Sequence, residues 1–196
     1  MKIKTLKGKH ERISEIIITI IVLGVIVYAF QVKADRDQLI LTGKEILLEL
    51  APVDPLSLLQ GQYMIINLAL EREEIEIKEQ EVNSGRIHLS PNGSATIVLR
   101  YNESGVANFN RFKDDQLLAS NEILFKIKAR RHWRDNGSEN SYRIDVEQES
   151  FLFKENSEKK YETAKYGVFK VGPDGDFVLV DLADKDLNRL TVVKPQ

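Results

Sequence analysis

The chain has 196 residues, 42% of them hydrophobic and 30% charged, the composition of a folded protein rather than a disordered one. It contains no cysteine, which excludes a disulfide scaffold, a thiolate metal site and a cysteine nucleophile. The formal net charge of -2 is unevenly divided, with +3 on residues 1–32 and -5 on residues 33–196.

Residues 1–12 form a basic tail carrying Lys2, Lys4, Lys7, Lys9 and Arg12. Residues 13–32 read ISEIIITIIVLGVIVYAFQV, and between Ile16 and Phe30 the only polar side chain is Thr19. A helix rising ~1.5 Å per residue needs about twenty residues to cross the hydrocarbon core, so this run predicts one transmembrane helix. The β-branched residues are mediocre helix formers in water, but in lipid the backbone must satisfy its own hydrogen bonds and helix prevails. The basic excess before the run, against mixed Lys33, Asp35, Arg36 and Asp37 after it, places residues 1–12 in the cytoplasm and everything after Val32 outside. In a cell with an outer membrane, that compartment is the periplasm. A cleaved signal peptide with Val32-Lys33-Ala34 as its processing site is the competing reading. The length of the apolar run and the charge on Lys33 favour an anchor in the lipid bilayer.

Residues 33–50 predict a continuation of the helix to a break near Gly43, then a first strand through Glu45–Leu50. An extracytoplasmic domain over residues 51–196 follows. Pro52 and Pro55 remove two backbone donors and hold the residues before them extended, with Asp54 available as a turn acceptor. Gly61-Gln62-Tyr63 then launches an apolar strand, Tyr63–Leu70. The acidic run from Glu71 to Glu81 reads as a solvated face. Ser90-Pro91-Asn92-Gly93 predicts a hairpin turn between strands Arg86–Leu89 and Ala95–Tyr101. Asn102–Leu118 reads as an irregular loop with Phe109 and Phe112 as isolated apolar pegs. Ile123–Trp133 alternates as a strand with one wet face, and Tyr142–Phe153 is its antiparallel partner. Glu158–Lys165 predicts a short helix, and Gly167–Val171 and Phe177–Leu182 a hairpin across Pro173-Asp174-Gly175. The expected fold is therefore mainly β, as antiparallel sheets or a small barrel or sandwich with one or two short helices, behind one N-terminal transmembrane helix.

Pro52-Val53-Asp54-Pro55, a Leu-rich turn, and Gly61-Gln62-Tyr63 opening a strand together resemble the signature of the GDYXXLXY family. A second resemblance lies in Phe151-Leu152-Phe153, Glu155, the charged Glu158–Lys165 segment and the final Asp-Gly hairpin. The resemblance implies a membrane-anchored protein with no established activity, in a family whose members often occur with a multi-span membrane protein. The chain departs from the signature at Gln62 where the family has Asp, at Ile66 where it has Leu and at Leu68 where it has Tyr. An amide at position 62 cannot act as a carboxylate base or supply charge to a divalent cation. The expected role of Pro52, Asp54, Pro55, Gly61, Gln62 and Tyr63 is a structural and interaction motif where membrane and domain meet.

No catalytic constellation emerges. An envelope hydrolase using Ser57 or Asp54 is the alternative, but Ser57 lacks a lysine in a plainly buried strand to serve as base. Of the three histidines, His10 lies in the tail, and neither His88 nor His132 has a convincing serine partner. No spacing matches a metal cage, and Asp174-Gly175-Asp176 suits a hairpin better than a calcium loop. Neither metal nor cofactor is expected. Arg130, Arg131, Trp133 and Arg134 form the densest basic patch; outside the membrane nucleic acid is not the expected partner, and lipid headgroups or an acidic partner loop are. The function expected is that of an accessory or interaction protein, with a lipid- or ligand-binding β domain as a further alternative.

Overall fold

A computed structural model describes residues 4–51, 59–60, 63–72, 77–78, 87–132, 141–147, 150–152 and 158–191. It divides into two compact units, residues 1–41 and residues 42–196. Helix α1 runs over Lys4–Thr42 and stops at the residue before Gly43, as the sequence predicts. Its stretch Ile13–Thr42 is long and apolar enough to cross a membrane. Ile16, Ile18, Ile21 and Ile26, spaced around the helix axis, are all exposed within the unit, so this stretch is apolar around its circumference rather than along one stripe. Inside the apolar run the Thr19 hydroxyl turns to the helix backbone, donating to the Glu15 carbonyl at 2.8 Å.

The second unit is built on antiparallel sheets. Strands β1 (Lys44–Glu49), β10 (Tyr166–Val171) and β11 (Phe177–Ala183) form a three-stranded sheet in the order β1-β10-β11. The short strands β2 (Leu59–Gln60), β3 (Tyr63–Ile65) and β9 (Ser150–Leu152) form a second. The largest sheet joins β4 (Ile77–Lys78), β8 (Ser141–Asp145), β7 (Glu122–His132), β5 (Ser94–Tyr101) and β6 (Ala107–Phe112), in the order β4-β8-β7-β5-β6. A single turn of helix, α2 (Glu158–Tyr161), precedes β10.

One core cluster joins all three sheets, drawing Ile46 and Leu48 from β1, Ile97 and Leu99 from β5, Phe125 from β7, Phe169 from β10 and Met64 from β3. At its centre Phe125 stacks on Phe177, centroids 4.3 Å apart, and meets Phe169 edge-on at 6.0 Å. Offset and edge-on ring pairs of this kind contribute about 0.5–1.5 kcal/mol each beyond the area they bury. The C-terminal hairpin closes where Asp-Gly predicts: Gly175 takes φ +85°, and its carbonyl accepts from the Lys126 N–H at 2.9 Å, fastening the turn to β7.

Four sequence expectations are corrected. The Ser90–Gly93 turn forms, with the Gly93 N–H donating to the Ser90 carbonyl at 2.8 Å and Gly93 at φ +82°, but Ile87–Ser90 is not a strand. Strand β5 pairs with β6 on one edge and β7 on the other, so no edge is left for the predicted Arg86–Leu89 partner. His88 accordingly lies outside any strand. Second, Tyr63–Leu70 is a strand only as far as Ile65; Leu68 then makes an isolated bridge to Leu50, and Ala69–Glu71 is a 3-10 turn. Third, the segment expected to be irregular holds β6. The register shifts between Val98 and Leu99, which pair with Arg111 and Phe109 and leave Asn110 without a partner. A bulge of one residue breaks the alternation of faces, so Phe109 and Phe112, three apart, reach the same core and pack edge-on at 5.4 Å. Fourth, Tyr142–Phe153 is not one partner strand, because β8 pairs with β7 whereas β9 crosses to pair with β3.

Candidate functional site

Two carboxylates of the second unit each tie a loop to a strand. The first is Glu122, at the start of β7, whose side chain is only 4% exposed. Its Oε1 accepts from Arg100 Nη2 at 3.0 Å and from Asn110 Nδ2 at 2.8 Å. Its Oε2 accepts from Arg111 Nη2 at 3.0 Å and from the Ala119 N–H at 3.1 Å. Arg100 sits directly across the β5–β7 pair from Glu122, so the sheet register itself sets this contact. The Ala119 N–H, Arg100 and Arg111 hold the carboxyl of Glu122 below its ordinary range.

This carboxylate orders the connection between β6 and β7. Ala119 is tied to it directly, Arg111 pairs with Asp114, and the Asp114 Oδ1 accepts from the Gln116 N–H at 3.1 Å. The Tyr101 hydroxyl donates to the Ser120 carbonyl at 2.7 Å. Between these fixed points the loop presents Leu117, 95% exposed, and Leu118, 43% exposed. Beside it a shallow cleft of about 390 Å³ is lined by Arg100, Tyr101, Asn108, Phe109 and Asn121, among others.

The second lies at the end of the signature segment. Glu71, expected to belong to a solvated acidic face, is half-buried instead: Oε2 accepts from the Leu68 N–H and Oε1 from the Val146 N–H, both at 2.8 Å. It thereby clamps the 3-10 turn to the end of β8. Burial pushes its carboxyl above the ordinary range; the two backbone donors oppose this, and the neighbouring Asp145 adds to it. Asp145 also pairs with Arg130.

The predicted site residues fall into two groups. Pro52, Asp54, Pro55, Gly61, Gln62, Ser57, Trp133 and Arg134 lie outside the described residues. Tyr63 opens β3, paired with Leu152, so the two stretches that carry the family resemblance are hydrogen-bonded neighbours. Arg131 pairs with Tyr142 in the β7–β8 ladder. Arg130 is exposed and ion-paired with Asp145, next to a Lys128–Glu147 pair, so its charge is matched within the sheet. Among the described residues no group of three or more His, Asp or Glu is arranged to hold a metal ion. The Glu122 assembly escaped sequence reasoning because Arg100, Asn110, Arg111 and Glu122 follow no motif; only the pairing of three strands brings them together.

A family model described as GDYXXLXY protein matches residues 23–182, and the chain belongs to that family. No curated protein and no solved structure matches it.

Proposed function

For this member of the GDYXXLXY family we propose the role of a membrane-anchored interaction protein, its β domain extracytoplasmic and docked on a multi-span membrane protein through the loop between β6 and β7. The carrying observation is the leucine pair on a bonded loop. An exposed leucine alone is ordinary. Here Leu117 and Leu118 are held between Asp114, Ala119 and Ser120 by side-chain and backbone hydrogen bonds, so their exposure is a fixed property of the surface. An ordered apolar anchor with a polar rim is what a partner's pocket receives with little loss of conformational entropy. Lys113, Asp114 and Asp115 precede the pair and Asp114 is matched by Arg111, so the loop has no basic excess to draw it to an anionic lipid surface, which favours a protein as the occupant. The anchor helix and the family's association with multi-span proteins support a partner in the same membrane.

The absence of cysteine makes the test direct. Single Lys7→Cys and Lys185→Cys variants, the second at an exposed position outside the leucine loop, are treated in intact cells with a membrane-impermeant maleimide. Labelling of position 185 alone supports the orientation, and labelling of position 7 alone reverses it. A photo-crosslinking residue at position 117 should then capture a multi-span membrane protein, and Leu117→Asp/Leu118→Asp should abolish its co-purification without lowering the unfolding temperature. Capture of lipid only, or an undiminished complex with the double variant, removes the docking role of the loop.

A further inference from the structure

The cleft beside the leucine loop carries hydrogen-bonding capacity that the fold leaves unused. Asn102 accepts the Val106 N–H through Oδ1 at 3.0 Å, which fixes its amide and leaves its NH2 free to donate. Asn110 donates through Nδ2 to Glu122, which leaves its Oδ1 free to accept. The side chains of Asn108 and Asn121 are exposed and engage no partner among the described residues. Each amide offers two donors and a carbonyl acceptor, so this corner presents both kinds of group side by side.

Charge and shape narrow the ligand. Arg100, at the cleft, and Arg111 behind it are balanced by the carboxylates of Glu122 and Asp114, so this group of ion pairs carries no net charge. Tyr101 and Phe109 add ring surface to the lining, with the Lys44 ammonium over the Tyr101 ring, 4.9 Å from its centroid. Amide donors and acceptors side by side, next to ring surface and a balanced set of ion pairs, match a sugar, whose adjacent hydroxyls both donate and accept and whose C–H face packs on an aromatic ring. The geometry points to a binding site for a neutral saccharide in this cleft, with Asn108 and Asn121 making direct contact. Glu122 is a positioning residue that fixes Arg100 and Asn110.

Saturation-transfer difference NMR tests this with the full chain in phosphatidylcholine nanodiscs, avoiding sugar-based detergents that would fill the site. Chitotetraose and maltotetraose are the probes, with empty nanodiscs as the control. Transfer to at least one saccharide is expected, with binding weakened about tenfold or more in Asn108→Ala/Asn121→Ala. Binding should persist in Leu117→Ala/Leu118→Ala, which separates this site from the docking loop, and inorganic phosphate should not compete. Glu122→Gln should weaken binding while Asn108→Ala/Asn121→Ala leaves the unfolding temperature unchanged. No transfer to either saccharide, equal transfer in the asparagine double variant, or competition by phosphate overturns the proposal.

Discussion

Glu122 and Glu71 each bind a loop to a strand by accepting hydrogen bonds, yet their surroundings are opposite. Glu122 faces two guanidinium groups and a backbone N–H, and its ionised form is favoured. Glu71 faces two backbone N–H groups and another carboxylate, in a half-buried position where ionisation is disfavoured. The same side chain is thus an electrostatic hub beside the leucine loop and a backbone cap at the signature joint. The difference teaches that charge makes the first arrangement, whereas acceptor geometry makes the second.

Removing the cap should have the largest consequence. Glu71→Ala leaves the Leu68 and Val146 N–H groups without their acceptor, and groups orphaned in this way cost ~1–3 kcal/mol each when buried. With partial access of water, a loss of about 2–3 kcal/mol is expected in urea unfolding. Glu71→Gln keeps one acceptor oxygen and should recover about half of it. If the alanine variant unfolds with the wild type, Glu71 is a surface residue like its acidic neighbours and the contrast with Glu122 collapses.

A smaller effect tests the frame that carries the Glu122 assembly. The turn joining β5 and β6 places Gly105 at φ +81°, and a Cβ there would lie 3.2 Å from Leu47 Cδ1. Gly105→Ala should cost about 1–2 kcal/mol, the penalty for a side chain in the left-handed region. Since the Leu47 N–H donates to the Gly105 carbonyl at 2.9 Å, the strain should also reach β1. Faster amide exchange at Leu47 is the measurement, and unchanged exchange there would confine the turn's role to β5 and β6.

Glu122→Gln should act more locally. Gln retains an acceptor but loses the charge that holds two arginines, so the connection between β6 and β7 should loosen while the core stays intact. Amide exchange at Ala119 is expected to accelerate with little change at Phe125, which is fully buried. Equal acceleration at both positions would make Glu122 a support of the whole sheet instead of an organiser of the loop.

The contrast also explains which parts of the molecule are readable from sequence. The long apolar helix, β1, β7 and the C-terminal hairpin announce themselves through apolar length, alternation and an Asp-Gly turn. Strand β6 does not, because the bulge at Asn110 breaks the period of two on which strand recognition rests. The predicted Arg86–Leu89 strand fails for another reason: its turn chemistry is sound, but both edges of β5 are occupied by strands more distant in sequence. Glu71 reads as solvated because acidic residues follow it, and only the fold brings the Val146 N–H, 75 residues away, to its carboxyl. The Glu122 assembly is likewise a product of register, where no local pattern could name its members.

The smallest expected effect, and the one that separates the two glutamates most cleanly, is their pH dependence. Folding raises the Glu71 pKa above the ordinary value of 4.5, so the stability it contributes is complete below that value and is lost as pH rises through its raised folded value. Folding lowers the Glu122 pKa, so its contribution is present above 4.5 and is lost as pH falls through the lowered value. Between 4.5 and neutrality, the urea midpoint of the wild type should therefore fall relative to that of Glu71→Gln, whose amide does not titrate. Below 4.5 the wild type should lose its advantage over Glu122→Gln. Part of the acid limb should survive in that variant. The Asp184 carboxyl is also lowered, chiefly by the Asn188 N–H, and Glu45 is lowered because Arg189 and Lys170 together outweigh the upward push of its burial. Parallel curves for Glu71→Gln and wild type above 4.5 would show that water reaches Glu71 freely, making the two glutamates alike in environment and different only in their partners.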